Sequence, residues 1–71
     1  MQITGKIVYV DLSGGFWGIE SDDGQQYNPG TTLPDTFKEK DIRIKANVSP
    51  SQSFSIFMWG TNVDIHEIEK I

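Results

Sequence analysis

The chain has 71 residues, a formal charge of −4 and no cysteine, so it is one small domain without disulfides or thiolate metal centres. A chain this short buries only about 60% of its unfolded surface, which limits stability to a few kcal/mol and leaves no room to enclose a drug-sized ligand. The acidic balance opposes indiscriminate grip on phosphate backbones, although four of the six basic residues, Lys38, Lys40, Arg43 and Lys45, fall in one short segment.

Residues 3–12 read as a first strand. Ile3, Ile7 and Tyr9 occupy one phase and Val8, Val10 and Leu12 the other, the pattern of a strand buried on both faces or coiled to serve two sheets. Gly5 is the candidate for the kink. Ser13-Gly14-Gly15 turns the chain into a second strand, residues 16–21. Alternation there turns Trp17 and Ile19 inward and leaves Phe16, Gly18 and Glu20 on the solvent side. Asp22-Asp23-Gly24 is a hairpin signal, because such turns need positive φ at a central position. The return strand, residues 25–28, is short and polar and has the look of an edge. Pro29-Gly30 ends it.

Residues 31–41 form the longest connection, anchored by Leu33 and Phe37. Pro34 and Asp35 suit the start of one or two helical turns, with Phe37 capping an end of the core. In residues 42–48, Ile42, Ile44, Ala46 and Val48 alternate with Arg43, Lys45 and Asn47, which predicts a half-buried strand. Residues 49–52 read as a loop tip and residues 54–59 as a further strand. Gly60-Thr61-Asn62 is an interruption. Residues 63–71 resume the strand with a slip of the pleat near His66-Glu67; the alternative for this tail is a helix. Five short strands in so few residues must close on themselves to avoid open edges. The fold expected is all-β, a small five-stranded OB-like barrel, with an SH3-like barrel as the alternative.

Phe16-Trp17-Gly18 and Met58-Trp59-Gly60 echo each other, and a glycine beside a tryptophan leaves room for a large ring to pack closely. Gly15-Phe16-Trp17-Gly18-Ile19 followed by Asp22-Asp23-Gly24, after Gly5-Lys6-Ile7-Val8, resembles the opening of a cold-shock domain over about the first third of the chain. That resemblance implies an OB barrel whose second and third strands carry base-stacking aromatics. Gly14 stands where that family has a lysine, Gly18 where it has a second phenylalanine, and Gln25 to Asn28 where it has an apolar run. Phe16 and Tyr27 are the stackers carried over. Gly14 to Ile19, Asp22 to Gly24, Leu33-Pro34 with Phe37, and Met58 to Gly60 also resemble, nearly end to end, a group of small, uncharacterised prokaryotic proteins. No activity comes with that likeness.

The leading expectation is a non-enzymatic binding or interaction module. Its candidate contacts are the aromatics Phe16, Tyr27 and Phe57 and the cations Lys6, Arg43 and Lys45. The partner is a protein or ligand of unstated kind, and the alternative is single-stranded nucleic acid on the same face, because aromatic faces accept any base. A structural accessory domain of a larger envelope or secreted protein is the third reading. One histidine, His66, and no cysteine leave no recognisable nucleophile–base spacing, and Asp11, Glu20, Asp22 and Asp23 lack the spacing of a calcium loop. No enzyme, cofactor or metal is therefore expected. No apolar run is long enough for a membrane span and no leader opens the sequence. A soluble monomer or weak dimer follows, cytoplasmic by default, or envelope-located or secreted if the domain is cut from a longer precursor.

Overall fold

The computed structural model describes residues 1–12, 14–51 and 59–71. Its strands are β1 (Gln2–Val10), β2 (Phe16–Ser21), β3 (Gln26–Asn28), β4 (Arg43–Pro50) and β5 (Thr61–Lys70). They close into a barrel in the order β1-β2-β3-β5-β4, an all-β architecture compatible with the OB-like expectation. Every pairing is antiparallel except β3 with β5.

β1 explains how so short a chain closes. Its first half pairs with β4 (Gln2 to Lys6) and its second half with β2 (Gly5 to Val10). The two ladders overlap at Gly5 and Lys6, so the strand serves both sides as its two apolar phases imply. Gly5 is buried there. A Cβ at this position would run into the Glu20 carbonyl and the backbone of Ser21, so only glycine lets β1 and β2 approach this closely.

Inward side chains follow the alternation. Ile3 and Ile7 come from β1, Ile19 from β2, Tyr27 from β3, Ile44, Ala46 and Val48 from β4, Val63 from β5, and Leu33 from the long connection. Trp17, Phe37, Ile42, Ile65 and Ile68 pack around them, partly buried. Each fully buried aliphatic side chain contributes about 1.5–3 kcal/mol.

The β2–β3 turn forms as its composition predicts. Gly24 takes φ 89°, its N–H donates to Ser21 O at 3.0 Å, and Ser21 N–H donates to Gln25 O at 2.8 Å. Asp23 Oδ1 accepts from the Gln25 N–H at 3.0 Å and from the Ser21 hydroxyl in a short bond. The long connection holds two 3-10 turns, Gly30–Thr32 and Asp35–Phe37. Thr32 ties the first turn to β5: its hydroxyl donates to Pro29 O at 2.6 Å and accepts from the Ile65 N–H at 3.0 Å.

Several expectations need correction. β3 is not an edge, since it pairs with β2 on one side and β5 on the other. β4 runs through Ser49 and Pro50 rather than stopping before a loop tip, and β1 ends at Val10, leaving Leu12 exposed. β5 begins at Thr61, so Thr61 and Asn62 belong to the strand rather than interrupting it. The tail is the strand expected, not the alternative helix. Its pleat does slip where expected: Asn47 faces Glu67 but Val48 faces Ile65, which leaves His66 as the extra residue. The strand expected over 54–59 lies, but for Trp59, outside the described residues.

Candidate contact surface on the outer face

β2 carries the site because its two phases do different work. Ile19 and Trp17 point to the core, whereas Phe16, Gly18 and Glu20 line the outside. Across the ladder these three face Val10, Val8 and Lys6 of β1. Gly18 has no side chain, and the Trp59 indole occupies the space where its Cβ would project. The Trp59 ring meets Phe16 edge to face, with centroids 5.7 Å apart and planes at 75°. Both residues are half-buried. Gly18 is thus the seat for one tryptophan from the far end of the chain, and the close packing suggested by the two Trp-Gly echoes occurs between them.

A second aromatic pair lies on the other phase, where β1 and β2 run past the core. Tyr9 and Trp17 face each other in register and pack edge to face at 5.1 Å and 71°. The Tyr9 hydroxyl donates to Gly14 O at 3.4 Å. Tyr9 is 46% exposed and Leu12 49%, so this end of the barrel is apolar as well.

The residues named from sequence are only partly brought together. Phe16 is at the surface pair. Tyr27 is not: it faces Ile19 on the inner phase and is 8% exposed, a core residue. The short strand looked like a polar edge, but Tyr27 shares the inward phase of Ile19 across the ladder, which turns its ring into the barrel. Phe57 lies outside the described residues. Lys6 is half-buried on the outer row, between Glu20 of β2 and Arg43 of β4. It stands four residues along the ladder from the Val10–Phe16 pair, about 13 Å away.

The other two cations are separate from the rings and answered by acids. Arg43 donates from Nη1 and Nη2 to Asp22 Oδ1 and Oδ2 at 2.6 and 2.9 Å. That hydrogen-bonded fork holds Asp22 below the ordinary aspartate value and raises Arg43. Lys45 faces Glu69 across the β4–β5 ladder. It lines an open groove of about 410 Å³ with Gln2, Asn47, Glu67, Ile68 and Glu69. Lys38 pairs with Asp35 at 2.8 Å and Lys70 with Glu39 at 3.5 Å. Of the basic segment, Lys38 and Arg43 are thus held in ion pairs.

One contact escaped the sequence reading. Ser49 Oγ lies 2.7 Å from His66 Nε2 on the exposed β4–β5 face. The bulge at His66 makes this meeting, and residues 17 apart give no spacing signal for it. Among the described residues no group of three or more His, Cys, Asp or Glu could hold a metal ion, and no helix is long and apolar enough to cross a membrane.

Fold and surface together define a small closed β-barrel with an aromatic pair on its outer face. Comparison with protein-family models, curated proteins and solved structures finds no match for the chain. The two resemblances noted from sequence rest on the quoted residues alone.

Proposed function

We propose that this OB-like barrel is a non-catalytic binding module whose contact surface is the outer aromatic platform formed by Phe16 and Trp59 on Gly18. One observation carries the reading. In a chain with two tryptophans, where every large apolar side chain is wanted for the core, one is held outside the barrel against a second ring. Such a ring offers a large contact area with few rotatable bonds to immobilise, which suits it to recognition.

Single-stranded nucleic acid is the rival occupant, since bases stack on the same kind of surface. The paired cations and the net charge argue against it.

Selection of short peptides from a random display library tests the module reading. Wild-type protein is expected to enrich binders that a folded Phe16→Ala variant does not retain. Binders indifferent to Phe16→Ala and to Trp59→Ala would remove the platform from the account.

A further inference from the structure

We propose that the barrel pairs with a second copy of itself through the open edge of β1, two-fold about Val10 and independently of the aromatic platform. Backbone directions locate that edge. The Ile7 N–H donates to Ile42 O at 2.9 Å, and Ile7 O accepts from the Asp41 N–H at 2.8 Å, so this phase of β1 turns its backbone groups toward the β4 side. The other phase turns them toward β2, where Thr4 O accepts from the Asp22 N–H at 2.9 Å. Tyr9 shares the phase of Ile7. The β1–β4 ladder, however, ends at Lys6 with Arg43, and Asp41, at φ 69°, interrupts the extended chain beside it. The Tyr9 N–H and C=O therefore make no hydrogen bond among the described residues.

The strip left open runs from Val8 to Leu12. Asp41 bounds it at one end, and the turn closed by the Gly15 N–H on Leu12 O at 2.8 Å bounds it at the other. Val10 is the midpoint, so an antiparallel copy turned about Val10 covers the strip with the same strip. Tyr9 then faces Asp11 of the second copy and exchanges both backbone hydrogen bonds with it, twice over by symmetry. The side chains match in that register: Val10 meets its own counterpart and Leu12 meets Val8, while the two Asp11 carboxylates stand diagonally apart. A monomer's open edge is usually blunted by charge, proline or a bulge. Here Asp11 is the single charge, set against two of the four large apolar side chains exposed among the described residues, Tyr9 and Leu12. Tyr9 is already held, edge to face on Trp17 and hydrogen-bonded to Gly14 O, so little order is lost on pairing. So short a strip falls below the roughly 800 Å² per partner of a stable complex. The dimer is accordingly weak, with a dissociation constant on the order of 0.1–1 mM.

Sedimentation velocity of the wild-type protein from about 20 μM to about 1 mM tests the pairing, with hydrogen exchange at the Tyr9 amide followed over the same range. The weight-average sedimentation coefficient is expected to rise with concentration, and the Tyr9 amide to exchange more slowly. Added salt should strengthen the association, because each copy carries a charge of −4. Asp11→Pro removes an edge donor and a negative charge together and leaves the β1–β2 ladder, which ends at Val10, intact. It should weaken the association about tenfold or more. Leu12→Lys, a change at an exposed side chain, should weaken it as well, and circular dichroism checks that both variants are folded. A wild-type protein that stays monomeric over the whole range would overturn the proposal, as would association that survives both substitutions. Association lost in Phe16→Ala and kept in the two edge variants would move the interface to the platform and overturn it too. A monomeric protein whose library-selected peptides are lost in Asp11→Pro would make the edge a peptide site and contradict the second copy.

Discussion

Gly18 shows how a single residue decides where a large side chain goes. Any Cβ there meets the six-membered ring of Trp59, so Gly18→Ala must push the indole outward. Folding should survive with a loss of about 1–2 kcal/mol, and Trp59 emission should shift to the red; an unchanged spectrum would mean that the indole is not seated on Gly18. Asp41 is a residue of the opposite kind, a non-glycine at φ 69°. The left-handed region costs an L-residue about 1 kcal/mol, so Asp41→Gly should raise the thermal midpoint by several degrees, at about 4–8 °C per kcal/mol for a domain of this size.

Three exposed aspartates couple stability to acid. Arg43 holds Asp22 low by its hydrogen bonds, Ser21 and the Gln25 N–H hold Asp23 low, and Lys38 holds Asp35 low. Each contribution is fully present above the unfolded value of 3.8 and is lost as pH falls through the lower folded value. Stability should therefore drop steadily below about pH 4. Asp22→Asn should flatten part of that slope in urea titrations at a series of pH values, and an unchanged slope would mean the Arg43 fork contributes nothing in solution.

At the scale of the elements, the barrel depends on two joints. The first is the overlap of ladders at Gly5, where Gly5→Val should prevent cooperative folding because the clash is with backbone rather than a movable side chain. The second is Thr32, which serves β5 just beyond its short parallel contact with β3. Thr32→Val leaves the Ile65 N–H without its acceptor and should cost about 1–3 kcal/mol, read from the urea midpoint; a neutral result would mean that another group takes over.

What the sequence made legible follows the same divide. β2 and the inward side of β4 were readable because alternation reports which face is buried, and the slip near His66 because the apolar phase reverses between Ile65 and Ile68. The status of β3 was not readable. Its brevity and polarity resemble an edge, and only closure of the barrel shows that both sides are paired and that Tyr27 belongs inside. Ser49 with His66, and Trp59 with Gly18, meet only through long-range pairing, which local patterns do not encode. The Gly-Trp echoes announced that a ring would pack on a glycine, without saying which ring on which glycine.

Across the whole molecule, some aromatic rings hold the barrel together and others lie on it. Trp17, packed on the core and against Tyr9, belongs to the first group; Phe16 and Trp59 belong to the second. Equilibrium urea unfolding of Phe16→Ala, followed by far-ultraviolet circular dichroism, tests this division most directly. A cooperative transition is expected, with a loss of about 1 kcal/mol, well short of the 3–5 kcal/mol typical of a core phenylalanine. An unfolded Phe16→Ala protein at zero denaturant would contradict it, because the ring would then be part of what holds the fold together.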